Sequence, residues 1–511
     1  MRPSQGRLAA RVGAGILVTR VLGFVRERVF AHYFGTGVEA DAFGAALRIP
    51  NVIRNLLGEG TLSASFIPVY AGMIERGETE DARRLSGVIV SLLILLTAMG
   101  ALLGVLLAPV ITDFAAPGFT GRQRDLTVTL VKILFPMSGA LILSAWCLGI
   151  LNTHRRFFLA YSAPAVWNIA QIATLVVLGS RLTGTPLVVA LAWGAVAGSL
   201  LQIAVQLPLV LRLIDKIRWS LRSSTPGVRQ VVRAWIPVII GAGVVQISSI
   251  VDTQLASLLG PGAVATLRYA QLIAILPVSL FGVSVAAVAL PELSRDVAVQ
   301  DNDLLRLRIA TGLRQVAFFA VPSAFALAAL GPQLAGALFQ TGAFDSRDTQ
   351  LVGGVLAAYA LAVPAQASIK LLASGHYAQG NTKTPVRIAV VAVLFAAASA
   401  LLLMRYLGAA GIALGAAAGA YINALLNYAK LRSKLGSITG PLEIRALATV
   451  GLACTVAALG AMGVVVRRPA DPVWLVAVAA LVVFSLLYGA VTVALANPEA
   501  RTILSTLRRK P

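Results

Sequence analysis

Residues 86–112 read SGVIVSLLILLTAMGALLGVLLAPVIT, a stretch without a charged side chain. A helix needs about 20 mostly apolar residues to cross the hydrocarbon core of a bilayer. This stretch therefore predicts a transmembrane helix. Runs of similar character recur along the chain.

The composition of the whole chain agrees with this stretch. Of its 511 residues, 58% are hydrophobic and 13% are charged, and the mean hydropathy is +0.83. Soluble domains are typically about 45–50% apolar and about 25% charged. The composition excludes disorder, collagen, coiled coil and a disulfide scaffold, and no polar segment is long enough for a separate soluble domain. We therefore predict an all-α polytopic membrane protein.

Scanning for apolar runs of sufficient length predicts about 14 transmembrane spans. The first, second and eighth carry charges that lower their hydropathy, so their edges are less sharp. The predicted spans are 8–33, 41–72, 86–112, 126–151, 160–180, 185–211, 230–259, 264–291, 309–331, 349–378, 386–406, 409–429, 446–466 and 473–496.

The basic residues of the loops predict the orientation of these spans. Counted over loops and span edges, 27 Lys and Arg residues fall on one side and 7 on the other. Cytoplasmic loops are the ones enriched in Lys and Arg. The asymmetry favours an even number of spans with both termini in the cytoplasm. It also accounts for most of the net charge of +22 without a nucleic-acid partner.

Other sequence features argue against processing and metal sites. Arg20 and Arg26–Arg28 interrupt the first apolar run, so we interpret it as a retained span and not a signal peptide. Cys147 and Cys454 lie in apolar runs, where buried thiols are expected. The three histidines are dispersed, and no metal or other cofactor is predicted.

An internal repeat is predicted from the spacing of prolines at matching span ends. Pro68 and Pro291 are 223 residues apart, and Pro164 and Pro385 are 221 apart. Two six-helix halves around a substrate cavity, a common transporter plan, would give this offset. The predicted domains are an N-lobe at 1–225, a C-lobe at 226–440, and two further helices with a cytoplasmic tail at 441–511.

Charged residues within spans mark the candidate site, because a charge at the bilayer centre costs about 2.5–3.5 kcal/mol. Cations outnumber the acids at similar depth nine to three. Arg28 and Arg314 are expected to lie near span ends and reach the interface. The nine cations are Arg20, Arg26, Arg28, Arg48, Arg54, Lys132, Arg268, Arg314 and Lys370, and the three acids are Glu27, Glu59 and Asp252.

The densest cluster of these charges lies in the first two spans. Arg20 and Glu27 are seven residues apart and share a helical face, and Pro50 between Arg48 and Arg54 should kink the second span. One interpretation is internal ion pairs, Arg26 or Arg20 with Glu27 and Arg54 with Glu59. The other is a cationic cavity, and arginine binds phosphate and pyrophosphate in bidentate fashion.

Two weaker signals lie elsewhere. Asp252, near Gln246 and Gln254, is either a candidate cation ligand or a hydrogen-bonded structural residue. The glycines spaced by four at 411–419 and at 100–104 favour close helix packing.

Several motifs resemble the MurJ (MviN) family of lipid II flippases, a part of the multidrug/oligosaccharidyl-lipid/polysaccharide exporter superfamily. The resemblance covers nearly the whole chain and is most specific in the first seventy residues. It implies fourteen helices with both termini in the cytoplasm. The motifs are TRVLGFVRE (19–27), DAF (41–43), RIPNVIR (48–54), EG (59–60), FIP (66–68), GILNT (149–153), LFQTGAF (338–344) and KTPV (383–386).

The resemblance implies export of the undecaprenyl-pyrophosphate-linked peptidoglycan precursor across the bacterial cytoplasmic membrane. By motif, the substrate-binding arginines are Arg20, Arg26 and Arg54. In helix eight the family's arginine is replaced by Leu272, and Arg268, one turn earlier, is a candidate to supply that charge. Supporting or ion-pair roles are predicted for Glu27, Asp41, Glu59 and Lys370.

The resemblance also bears on coupling and partners. Some family members bind sodium between helices seven, eleven and twelve. Asp252 could contribute, but the eleventh span has no acid and no asparagine beyond Asn381, which argues against sodium. Membrane potential is the alternative driving force. The implied partners are lipid II, the bilayer and the cell-wall synthesis machinery, and the last two spans are implied to line a groove for the lipid tail.

Three alternatives follow from the same residues. A related transporter could export another lipid-linked oligosaccharide or a drug, although a drug exporter should show acids in its cavity. A membrane-embedded enzyme acting on polyprenyl phosphate would need a close carboxylate pair or a nucleophilic histidine, and only Asp345 and Asp348 are close in the outer loops. A scaffold for peptidoglycan enzymes would not need arginines inside the membrane. We therefore predict a transporter and not an enzyme.

Overall fold

The computed structural model describes residues 5–508 except 216, 223 and 439. For residues 5–11, 59, 240–242, 244, 245, 441 and 506–508 it describes the backbone only. The described residues are mostly helical and contain no β-strand. By their contacts they form two units, one up to Val264 together with Thr341–Ala343, the other comprising Ala265–Gln340 and the residues from Phe344 onward.

The first unit is built from ten helices. They are α1 (Gln5–Phe34), α2 (Val38–Leu57), α3 (Glu59–Glu75), α4 (Thr79–Leu106), α5 (Ala108–Ala115), α6 (Gly121–Thr153), α7 (Phe157–Ser162), α8 (Pro164–Leu178), α9 (Gly184–Ile214) and α10 (Val228–Ser257).

The long helix α6 forms the core of the first unit. It packs against α2, α3, α4 and α9, and Trp146 and Cys147 at its centre are buried against Phe66 of α3 and Ile89 of α4. Because α6 is surrounded by other helices, most of its residues are apolar and buried on every side. Burial of Cys147 confirms the prediction of a core thiol, and Cys454 in the second unit is buried as well.

The second unit contains the remaining helices. They are α11 (Ala263–Pro277), a π-helical turn (Val278–Val283), α12 (Ser284–Ala298), α13 (Asn302–Ala329), α14 (Gly331–Phe339), α15 (Ser346–Ala360), α16 (Val363–Ala378), α17 (Lys383–Leu435), α18 (Pro441–Arg467), α19 (Val473–Ala494) and α20 (Pro498–Arg508).

Helix α17 combines the predicted eleventh and twelfth spans. Gly408 has a non-helical conformation (φ 55°, ψ −134°) and divides it into two arms, which pack closely at Gly415. A Cβ on Gly415 would lie 2.5 Å from the backbone nitrogen of Ala400. The glycine spacing at 411–419 predicted such close packing, and the structure confirms it.

The all-α membrane fold is confirmed. Ten helical segments of the described chain are long and apolar enough to cross a membrane. Helices α1, α2, α3 and α10, which cover the predicted first, second and seventh spans, are not among them. The number of crossings therefore stays a prediction. The predicted lobes at 1–225 and 226–440 also stay a prediction, although α10 packs on α2 and α3 of the first unit.

Candidate functional site

The first unit contains a partly open cavity of about 560 Å³ in which polar side chains are set in a mostly apolar wall. Its walls come from α1, α2, α3, α6, α7, α8 and α9. One guanidinium group contributes to the lining, and none of the lining residues that the structure describes is acidic. Polar side chains in the lining include Arg54, Asn55, Ser63, Ser144, Gln202 and Gln206.

Arg54 is positioned by a break between α2 and α3. The N–H of Gly58 donates to the carbonyl oxygen of Arg54 at 2.7 Å, and the backbone of Gly58 leaves the helical conformation there (φ −93°, ψ −133°). A Cβ on Gly58 would lie 2.4 Å from that same oxygen, so only glycine fits. Arg54 therefore occupies the last turn of α2, where a cation is favoured by the helix dipole. The break of the second span falls at Gly58, whereas Pro50, where a kink was predicted, lies inside α2.

Arg26 contacts both an acid and an aromatic ring. Its Nη2 lies 2.5 Å from Oε1 of Glu27, and its guanidinium carbon lies 4.8 Å from the ring centroid of Trp167. The indole N–H of Trp167 donates to the carbonyl oxygen of Ala195 at 3.0 Å, which holds the ring. Trp167 also lines the cavity, so the Arg26 guanidinium is held against a cavity wall by a cation–π contact. The predicted ion pair between Arg26 and Glu27 is present.

Arg48 connects α2 to α10. Its Nε donates to Oγ1 of Thr253 at 2.8 Å, and its charge acts on the neighbouring Asp252. Asp252 thus has a guanidinium near it. Within the described part of the chain there is no group of three or more His, Cys, Asp or Glu that could hold a metal ion.

Arg268 belongs to α11 in the second unit. Its guanidinium carbon lies 5.0 Å from the ring centroid of Tyr269. Tyr269 is fully buried and packs on Phe339 and Phe344, with ring centroids 5.0 and 5.4 Å away. Arg268 therefore lies beside a buried aromatic cluster.

The sequence and fold of this chain match known proteins. The family model described as lipid II flippase MurJ matches residues 30–485. A lipid II flippase MurJ of Burkholderia cenocepacia is 33% identical over 435 residues, which cover 84% of each chain. A probable lipid II flippase MurJ of Rhizobium tropici is 36% identical over 426 residues, covering 81% of this chain and 78% of that protein. The chain belongs to the lipid II flippase MurJ family.

Solved structures share the fold. A lipid II flippase MurJ in an inward closed conformation matches with a TM-score of 0.80 at 23% identity, over 96% of this chain and 99% of that one. An inward-facing MATE transporter of the MOP superfamily matches with a TM-score of 0.68 at 14% identity, over 84% and 98%. The predicted family is confirmed by the family model and the relatives, and a flippase family is one of transporters and not enzymes, as predicted.

The structure places the supporting residues of this MurJ-family chain as follows. Asp41 is fully buried and accepts from the N–H of Gly262 at 2.5 Å and from Nε2 of Gln123 at 3.4 Å, so it ties α2 to the turn after α10. Arg20 on α1 and Lys370 on α16 are exposed. The side chain of Glu59 lies outside the described residues, so the proposed pair with Arg54 stays a prediction.

One expectation from the sequence is wrong. Arg314 was expected to reach the interface from a span end, but its side chain is only 13% exposed and lies between two carboxylates. Its Nη1 is 2.7 Å from Glu443 and its Nε is 2.9 Å from Glu499. Both acids lie in the first turns of helices, α18 and α20, where a carboxylate is favoured. The packing of α13 against α18 brings these groups together.

A polar network in the cavity wall was not predicted from the sequence; Ser144 of α6 forms it with Gln202 and Gln206 of α9. Two glutamines four residues apart lie on one face of a helix, and here the helix is otherwise mostly apolar. This spacing was the available signal.

Proposed function

We propose that this chain moves lipid II, the undecaprenyl-pyrophosphate-linked peptidoglycan precursor, from the inner to the outer leaflet of the bacterial cytoplasmic membrane. The observation that carries the proposal is Arg54 in the wall of a polar cavity of a MurJ-family chain. A guanidinium offers two parallel N–H donors to a phosphate group, and such charge-assisted hydrogen bonds are roughly twice as strong as neutral ones.

In this mechanism the pyrophosphate enters from the cytoplasmic side and binds to Arg54. Arg26, held by Trp167 and Glu27, supplies further positive potential at the cavity wall. Arg20 and Arg268 are the remaining proposed phosphate ligands. The two lobes then rock so that the headgroup is released outward, and no covalent step is needed.

The polyprenyl tail remains in an apolar environment throughout. The second unit contains a groove of about 760 Å³, lined mostly by apolar side chains of α13, α16, α17 and α18. We assign this groove to the tail. Because lipid tails are as apolar as these side chains, the tail moves between bilayer and groove with little hydrophobic cost or gain.

Membrane potential is the driving force that we propose, with both termini in the cytoplasm. Moving one charge through about 100 mV changes its free energy by about 2.3 kcal/mol, so the empty arginine-bearing cavity would be drawn inward. The guanidinium of Arg48 near Asp252 disfavours a bound sodium ion there by charge repulsion. Contacts with the cell-wall synthesis machinery are part of the same proposal, because the exported precursor is its substrate.

Complementation tests the proposal. The resident lipid II flippase of a model bacterium is depleted, this chain is expressed, and externally accessible lipid II is measured. We expect exposure to be restored by the wild type and by Arg84→Ala, a surface variant whose side chain is 53% exposed. Arg54→Ala should reduce exposure about tenfold or more, because a hydrogen bond to a charged group is worth about 1.5–3 kcal/mol.

The outcomes separate the alternatives. Restored exposure that survives Arg54→Ala, at equal membrane expression, would contradict the role of Arg54 and keep the substrate. No restoration despite normal insertion would contradict the substrate, and an exporter of another lipid-linked oligosaccharide would then be favoured.

A further inference from the structure

Three buried side chains in the cavity wall form one hydrogen-bonded chain. Nε2 of Gln202 donates to Oγ of Ser144 at 2.7 Å, and the same hydroxyl donates to Oε1 of Gln206 at 2.7 Å. Gln202, Ser144 and Gln206 are only 6%, 2% and 1% exposed, and all three line the cavity that contains Arg54.

This series of hydrogen bonds leaves one acceptor and one donor unused. Oε1 of Gln202 and Nε2 of Gln206 are buried and have no hydrogen-bond partner in the structure. Exchanging oxygen and nitrogen in both amides would reverse the direction of the two hydrogen bonds. It would again leave one donor and one acceptor unused. The conclusion therefore does not depend on how the amides are assigned.

Unused buried polar atoms are uncommon, because most such atoms in folded proteins are hydrogen-bonded. An isolated polar atom is costly to bury, and two in one cavity wall point to a partner that arrives from the cavity. Because the amide is planar, a large rotation of the last torsion would move the hydrogen-bonded atom away from Ser144; only a small rotation, which this soft torsion permits, can bring the unused atom to the cavity surface.

The chemistry of the wall defines the ligand. One donor and one acceptor suit an uncharged group that carries both, such as a sugar hydroxyl or a secondary amide. Trp167 lines the same cavity, and because its indole N–H donates to Ala195 and Arg26 lies over its ring, it contributes ring surface and no further donor. The cavity volume of about 560 Å³ is in the range of small-molecule sites, enough for part of a headgroup.

We propose that Gln202, Ser144 and Gln206 form a subsite for neutral hydroxyl or amide groups of the sugar–peptide part of the lipid-linked headgroup, separate in chemistry from the phosphate-binding Arg54. This inference rests on the proposed function and deepens it. Recognition by neutral hydrogen bonds gives the chain a way to distinguish a loaded carrier from the bare pyrophosphate lipid, because a site built for hydrogen bonds rejects a ligand that lacks them.

Binding of three lipids to the purified full-length protein in nanodiscs tests the subsite. They are undecaprenyl pyrophosphate, the same lipid with sugars but no peptide, and lipid II. The wild type should bind lipid II about tenfold more tightly than undecaprenyl pyrophosphate. Gln206→Leu and Gln202→Leu should lose this preference, while their affinity for undecaprenyl pyrophosphate stays within about twofold.

A matched control is Gln171→Leu. Gln171 is 2% exposed, lies on α8 of the same unit and does not line the cavity, so this variant should keep the full preference. If a leucine variant fails to fold, Ser144→Ala interrupts the same chain with a smaller change. The lipid with sugars but no peptide identifies which groups contact the subsite. It should bind as tightly as lipid II if the sugars make the contacts, and only as tightly as undecaprenyl pyrophosphate if the peptide makes them.

Two results would overturn the subsite. One is a wild type that binds all three lipids equally, and the other is a preference that survives in both glutamine variants. In either case binding of undecaprenyl pyrophosphate that depends on Arg54 would leave the proposed function intact. A wild type that binds none of the three lipids would instead contradict the proposed function itself.

Discussion

Arg54 and Arg314 are both arginines of membrane helices, and their surroundings differ. Arg54 lies at a glycine break and lines a cavity whose other described polar groups are neutral. Arg314 lies between Glu443 and Glu499 beside a groove that is otherwise mostly apolar. The comparison teaches that an arginine inside a membrane protein is not by itself a sign of a binding site. Its position, in a cavity wall or between packed helices, indicates whether it binds substrate or stabilises the fold.

The largest expected effect is on stability in the second unit. Arg314→Met removes the cation and leaves two carboxylates buried, 16% and 9% exposed. Removing one partner of a buried pair costs about 3–5 kcal/mol, so Tm in detergent should fall strongly. The combined variant with Glu443→Gln and Glu499→Gln should recover most of the loss. An unchanged Tm for Arg314→Met would show that the contacts of Arg314 with Glu443 and Glu499 do not stabilise the fold.

Arg54→Met should give the opposite pattern. We expect the drop in Tm to be smaller than in Arg314→Met, because Arg54 lies in a cavity wall whereas Arg314 lies between packed helices. Affinity for undecaprenyl pyrophosphate should fall about tenfold or more, since a charged hydrogen bond contributes about 1.5–3 kcal/mol. Equilibrium binding and thermal unfolding of the same preparation measure the change in affinity and the change in Tm. A large drop in Tm with unchanged binding would mean that Arg54 is as structural as Arg314.

Gly58→Ala tests the position of Arg54 without changing its charge. The added methyl group would lie 2.4 Å from the Arg54 carbonyl oxygen, so the end of α2 must shift. We expect binding to weaken several-fold, in the same direction as in Arg54→Met and by less. Gly100→Ala on α4 is the control, because a Cβ there meets nothing within 4 Å and Gly100 does not line the cavity. Equal binding by the two alanine variants would show that the glycine break does not position the arginine.

The smallest effect is expected for an exposed pair. Nε of Arg124 lies 2.6 Å from Oδ1 of Asp113, and this guanidinium holds the pKa of the Asp113 carboxyl below its usual range. A lowered pKa stabilises the fold above the unfolded-state value and ceases to do so as pH falls through the lowered pKa.

Because the Asp113–Arg124 pair is exposed, Asp113→Asn should change Tm little at pH 7. The difference from the wild type should vanish as pH falls through the lowered pKa of Asp113. A Tm difference at pH 7 as large as that of Arg314→Met would show that exposure does not separate the two kinds of pair.

The sequence predicts the membrane class, the family and the helical runs, because apolar length and short motifs are local properties. It also predicts the pair between neighbouring residues Arg26 and Glu27. The partners of Arg314 are 129 and 185 residues away, and Ser144 is about 60 residues from its two glutamines. Helices such as α6 are apolar on all sides, so periodicity does not indicate which side packs on which neighbour. These contacts can be identified only from the three-dimensional arrangement of the helices.

The π-helical turn at Val278–Val283 between α11 and α12 has a consequence for how such chains change over generations. A π-helical turn accommodates an extra residue relative to an α-helix. Loss of a single codon there would restore a regular α-helix without changing the faces that α11 and α12 present, because the bulge already absorbs the additional residue. A one-residue insertion or deletion at this point can therefore change the chain length without re-aiming the side chains of either helix.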